Sequence, residues 1–170
     1  VIIPVYNDKD GALYCLKNMA DQLYPKDRLE VILVDNGSTP PISIESTYAF
    51  TVHTVRCATP GSYAARNAGV RQAVGDVFAF IDADCWPEKA WLGNGVAPLL
   101  ANEGKSVIGG EVLLVAPAKP SAVALYQCAG GFGQESNILD KHFSATANLF
   151  CTRAQFGAAG PFDERLLSGG

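Results

Sequence analysis

The sequence is divided by short apolar runs that each stop at a polar turn. VIIPV at 1–5 meets Tyr6-Asn7-Asp8, EVILV at 30–34 meets Asp35-Asn36-Gly37-Ser38, and VFAFI at 77–81 runs straight into Asp82-Ala83-Asp84. A looser alternating run occupies 50–55. Runs of this length with little polar alternation fit strands buried on both faces, as in a parallel sheet. Segments of helical length stand between them. Asp8 is placed to cap one in which Leu13, Leu16, Ala20 and Leu23 recur at helical spacing until Pro25. Another covers 61–74, ended by Gly75-Asp76, and a third follows Pro87 with Trp91, Val96, Leu99 and Leu100 for its inner face. Further on, 107–108 and 112–115 flank Gly109-Gly110 as a bent strand, 121–129 reads as a helix and 146–151 as a short strand. The alternation predicts an α/β, Rossmann-like layered fold: a mostly parallel central sheet flanked by helices.

Ligands of such sheets gather at the carboxyl ends of the strands, where the polar residues of this sequence also collect. Composition agrees with one folded domain. Of 170 residues, 48% are hydrophobic and 18% charged, enough apolar material for a two-faced core. The net charge of −4, with Lys and Arg scattered, argues against a nucleic-acid surface. The five cysteines are widely spaced without a CxxC pair, which reads as reduced thiols and a cytoplasmic protein.

Asp82 and Asp84 are the most informative pair. Side chains two apart at a strand end point the same way, so both carboxylates can face one ligand. Beside a phosphate they would repel it unless a hard cation lay between, and Mg²⁺ or Mn²⁺ is held in this way by one or two carboxylates and phosphate oxygens. The competing role is a polar turn in which Asp84 caps the next helix. Tyr6 puts an aromatic ring at the mouth of the first strand, able to stack on a nucleobase or to pack in its loop. Asp35 can accept from a base N–H or a ribose hydroxyl, or close a turn into Asn36-Gly37. Gly61 lets backbone approach a ligand, and Arg66 can contact phosphate or form an ion pair on the helix surface.

Taken together, VIIPVYND, VILVDNGST, ARNAGV, FAFIDADCWP, ATANLF and FDERLLSGG, in this order, resemble glycosyltransferase family 2 over nearly the whole chain. The resemblance implies a GT-A fold and inverting transfer of a sugar from a nucleotide-diphosphate sugar, a UDP-sugar first among the candidates. It also implies Mg²⁺ or Mn²⁺ as cofactor, and a saccharide, lipid-linked or other hydroxyl acceptor. It sets Pro4, Tyr6 and Asp35 around base and ribose, Gly61 along the base pocket, Asp82 near the ribose and Asp84 on the metal. Asn148 lies toward sugar or acceptor, and Gly169 and Gly170 open a motif that continues into an acidic pair, one of which would be the general base. On this view residues 1–170 are a single GT-A domain truncated at both ends, able to bind donor but lacking its base. Membrane association would then require segments outside it. The alternatives are a non-catalytic nucleotide-sugar-binding domain and a sugar-phosphate nucleotidylyltransferase, whose glycine-rich basic loop is replaced here by Tyr6-Asn7-Asp8. A phosphatase would carry its aspartates after the first strand, and a dinucleotide dehydrogenase its GxGxxG turn.

Overall fold

A computed structural model describes residues 1–103 and 105–166. The apolar runs form the strands β1 (Ile2–Val5), β2 (Glu30–Asp35), β3 (Thr51–Arg56) and β4 (Val77–Phe80), joined by β5 (Ile108–Gly109) and β6 (Leu149–Thr152). They make one six-stranded sheet in the order β3-β2-β1-β4-β6-β5. β1 pairs in parallel with β2 and β4, and β2 with β3, whereas β6 runs antiparallel to both β4 and β5. The sheet is therefore mostly parallel, with one reversed strand.

Alternate residues of the strands feed two cores, as the period-2 geometry of a pleated strand requires. Ile3, Val5, Val31, Leu33, Ala79 and Ile81 pack with α1 (Lys9–Ala20) and α3 (Trp91–Ala101). Ile2, Ile32, Val34, Phe78 and Phe80 face the other way, onto Ala64, Ala65 and Ala68 of α2 (Ser62–Gln72). α2 sits close because Gly69 lacks a side chain: a Cβ there would stand 2.6 Å from Ile2 Cγ2. The remaining helices are α4 (Ala122–Gly130), α5 (Gln134–Lys141) and α6 (Arg153–Ala159). Among the described residues no helix is long and apolar enough to cross a membrane.

The cap expected at Asp8 is present, its carboxylate accepting from the Gly11 N–H at 2.9 Å. The inner face of α1 differs from the expected one: it is Ala12, Cys15, Leu16 and Met19, while Ala20 and Leu23 are exposed. The register is set by where Asp8 starts the helix, and the helix ends at Ala20, well before Pro25. In α3, likewise, Leu100 is exposed and Leu92 and Gly95 are buried in its stead. Residues 112–115 form no strand, for the register with β6 stops at Gly109. α5 and α6 were not expected from periodicity. For α6 the signal was nonetheless local: Thr152 and Gln155 form a reciprocal capping box.

The switch of strand order at β1 decides where a ligand can sit. The chain leaves β1 for β2 on one side and returns later as β4 on the other, opening a crevice above their carboxyl ends.

Candidate nucleotide site

A cavity of about 740 Å³ occupies that crevice, within the range typical of small-molecule sites. Pro4, Val5, Tyr6 and Asp8 line it from the end of β1, Asn36 and Gly37 from the end of β2, and Asp82, Ala83 and Asp84 from the end of β4. Ala58, Pro60 and Gly61 line it from the loop after β3, and Ser62 and Arg66 from the first turns of α2. Of the residues expected at a donor site, Pro4, Tyr6, Gly61, Arg66, Asp82 and Asp84 are thus gathered around one space.

Asp82 and Asp84 have different surroundings although only Ala83 separates them. Asp82 is partly buried and accepts from Arg66 Nη2 at 2.5 Å. Arg66 is only 2% exposed, and its Nε has no hydrogen-bond partner among the described residues. Here the arginine that reads as a surface ion pair or a phosphate contact is a buried cation held against Asp82. Asp84 is exposed, and Cys85 Sγ at 3.8 Å is its recorded side-chain partner. The Cys85 thiol is pushed up to about 12, first by burial and then by the negative charges of Asp84 and Asp82.

Tyr6, which lines the cavity, is 65% exposed. Gly61 has φ 112°, a conformation that side-chain-bearing residues rarely adopt, and nothing lies within 4 Å of where its Cβ would be. Asp35 lies beneath the cavity and not in its wall. Its Oδ1 accepts from the Ser38 N–H at 2.8 Å, and its Oδ2 accepts from the Ile42 N–H at 3.2 Å and Arg56 Nη1 at 2.8 Å. Burial opposes its ionisation, but these hydrogen bonds and the Arg56 charge outweigh burial and hold the carboxyl below its ordinary 3.8. A depressed value means that the ionised carboxylate stabilises the fold. That contribution is complete above the ordinary value and is lost as pH falls from about 4 toward the folded value. Urea melts should therefore show Asp35→Asn less stable than the natural chain at pH 7, with the gap closing as the pH falls to about 2.

Asn148 is also engaged within the protein. Its Oδ1 accepts from Trp91 Nε1 and its Nδ2 donates to the Glu111 carbonyl, both at 2.8 Å. The Phe80–Leu149 pairing puts it next to the β4 end, outside the cavity wall described above. Gly169 and Gly170 lie outside the described residues.

The sequence reading missed the part played by Asn36. Its Oδ1 accepts from the Gly61 N–H at 2.9 Å, and its Nδ2 donates to the carbonyls of Thr59 at 2.7 Å and Cys57 at 3.3 Å. One side chain thereby fastens the loop after β3 to the end of β2. A second clamp is Asn67, whose Nδ2 donates to the Phe162 carbonyl and to Glu164 Oε1, and whose Oδ1 accepts from the Phe162 N–H. Only position at a strand end pointed to Asn36, and nothing local pointed to Asn67.

Residues 1–113 match the model of glycosyl transferase family 2. The chain belongs to that family. Glycosyltransferase AglE of Haloferax volcanii is 35% identical over 175 residues, covering all of this chain and 57% of AglE. Mannosyltransferase PcManGT of Pyrobaculum calidifontis, solved with GDP-Man and Mn²⁺, superposes on 96% of this family 2 chain with a TM-score of 0.68 at 23% identity, using 46% of its own length. S. aureus TarS covers 99% of the chain with a TM-score of 0.71 at 18% identity and 31% of its own length. At these identities the superpositions establish the GT-A fold. The family 2 chain spans little more than half of AglE and less of the two solved relatives.

Proposed function

We propose that this chain binds a nucleotide-diphosphate sugar, a UDP-sugar foremost, in the crevice above β1, β2 and β4, as part of a metal-dependent, inverting glycosyltransferase. The observation that carries the reading is one cavity, in a family 2 chain, whose wall brings together Asp82, Asp84, Arg66 and Tyr6. Related chains lend support: PcManGT was solved with GDP-Man and Mn²⁺, and TarS with UDP and with UDP-GlcNAc.

Mg²⁺ or Mn²⁺ fits the donor set. Among the described residues no group of three or more His, Cys, Asp or Glu is gathered, so these residues form no closed cage. Asp84 offers an exposed carboxylate, and Asp82 offers the oxygen that Arg66 does not hold. One or two carboxylates completed by phosphate oxygens is the usual binding mode of these ions. When bound, the ion supplies Lewis-acid stabilisation of the charge that develops on the departing diphosphate. Asp84 is its first ligand in this proposal and Asp82 its second. Arg66 balances Asp82 and adds positive charge facing the phosphates.

The nucleoside then lies toward Tyr6, Pro4 and Gly61, with the ring of Tyr6 available for stacking. Asp35 supports this end from below through the turn it holds, and would reach base or ribose only by exchanging its present partners. Asn148, beside the end of β4, faces the sugar or acceptor side of the same proposal. The acceptor is a hydroxyl group, which attacks the anomeric carbon opposite the leaving diphosphate and so inverts it.

Thermal denaturation with UDP, GDP, CDP and dTDP, each with and without Mn²⁺, tests the reading. A nucleotide at a hundred times its Kd adds about 2.7 kcal/mol, which raises the Tm of a chain this size by roughly 5–10 °C. One base should stand out, and only with the metal. No shift with any nucleotide in the presence of Mn²⁺ would refute the proposal.

A further inference from the structure

The guanidinium of Arg66 is buried in the cavity wall with few hydrogen bonds to hold it there. Among the described residues its hydrogen-bond partner is Asp82, and its Nε is enclosed without one. A guanidinium carries five N–H donors, and where hydrogen bonds leave its direction loose, packing must set it. The Tyr63 ring does so on one side, with Arg66 Cζ 5.9 Å from the ring centroid. Tyr63 and Arg66 stand three apart on α2 and are neighbours on one face of that helix.

Tyr63 is in turn held from far along the chain. Phe162 stacks on it, with ring centroids 5.6 Å apart and planes 17° apart, and meets Phe80 and Phe156 edge-on at 5.4 and 5.6 Å. Asn67 is buried and pins Phe162 by both of its backbone groups. Its Oδ1 accepts from the Phe162 N–H at 3.0 Å, and its Nδ2 donates to the Phe162 carbonyl at 2.9 Å. The same Nδ2 donates to Glu164 Oε1 at 2.9 Å. Asn67 directly follows Arg66 and stands four from Tyr63. One stretch of α2 thus carries the cation, the ring beside it and the clamp on the residue that stacks on that ring.

We infer that Asn67 and Phe162 are positioning residues of the donor site: they hold the Tyr63 ring where it sets the Arg66 guanidinium toward the diphosphate. Neither residue belongs to the cavity wall, so both act on the nucleotide through Arg66. The inference rests on the donor-site reading, in which Arg66 faces the phosphates, and adds the residues that keep it there. A clamp that served only to fasten Phe162 and Glu164 to α2 would exert its effect whether or not Arg66 was present, and this separates the two roles.

Asn67→Ala and Phe162→Leu test this in the whole protein, each alone and combined with Arg66→Met, by titration with UDP, GDP, CDP and dTDP in the presence of Mn²⁺. Arg66→Met by itself should weaken the tightest of these nucleotides about tenfold, the worth of one charge-assisted hydrogen bond, which leaves binding measurable. Asn67→Ala and Phe162→Leu should each cost about fivefold, because they displace that cation without removing it. Phe162→Tyr keeps the flat ring against Tyr63 and should bind as the natural chain does. With Arg66→Met in place, neither substitution should weaken binding further, since the group they position is gone. Should Asn67→Ala not fold, Phe162→Leu and its tyrosine counterpart decide alone. Unchanged affinity in a folded single variant, or an equal loss with and without Arg66→Met, overturns the inference alone. A natural chain that binds none of the four nucleotides overturns the donor-site reading with it.

Discussion

Asp84→Ala should leave the fold standing and abolish the effect of Mn²⁺ on nucleotide affinity. The side chain is exposed and its recorded partner is the weak contact with Cys85 Sγ, so its loss should change stability by no more than about 0.5 kcal/mol. In function the same carboxylate should matter greatly. It is the most exposed acidic group in the cavity wall, and in the proposed function it is the first ligand of the ion that stabilises the charge on a departing diphosphate. Removal of one such electrostatic group costs about 10²–10³ in rate, and sugar transfer by the whole protein should fall to that extent. Asp84→Asn keeps the shape and removes the charge, so it should behave like the alanine variant. Isothermal titration of UDP with and without Mn²⁺ decides the matter, and a variant that still shows the metal effect would remove Asp84 from the ion.

Asp82→Ala is expected to act in the opposite manner, damaging the fold before any chemistry is measured. It would strand the guanidinium of Arg66 in the interior, with 2% exposure and no other acidic partner among the described residues. Leaving one member of a buried pair without its counter-charge costs about 3–5 kcal/mol, a large share of the roughly 5–15 kcal/mol that stabilises an ordinary domain. Arg66→Met should cost less, about 2 kcal/mol, because Asp82 is 27% exposed and water can solvate it. The double variant should then be more stable than the sum of the single losses predicts, since the buried charge and its counter-charge leave together. Urea denaturation of all four proteins gives the cycle. Asp82→Ala as stable as the natural chain would mean that the pair is not what holds Arg66 in the core. The two aspartates of one short motif would thus differ in kind: Asp84 serves the ligand, while Asp82 is first a partner of the protein.

Much of this architecture was legible from local signals. The runs at 1–5, 30–34 and 77–81 became β1, β2 and β4 because unbroken β-branched and aromatic stretches are satisfied only between two helical layers. Asp8 capped α1 as expected, since a cap depends only on residues within one turn. The inward faces of α1 and α3 were less legible. Leu23 and Leu100 fit a helical spacing as well as the buried residues do, and the start of the helix together with the sheet beneath it chose between them. Beyond residue 107 the reading weakened, because β5 is only two residues long and owes its place to pairing with β6.

By itself, the sequence determined that strands end in Tyr6, Asp35, Asp82 and Asp84, and that those ends lie on one side of a layered α/β fold. Strand direction and turn chemistry are local, so they can be read without knowing what lies nearby. Tertiary structure alone decided which of these groups remain available to a ligand. Arg66 was brought against Asp82, Ser38, Ile42 and Arg56 took up Asp35, and Trp91 and Glu111 took up Asn148, leaving Asp84 and Tyr6 exposed. A polar side chain binds whichever partner the fold places within about 3 Å, and that partner can stand far away along the chain.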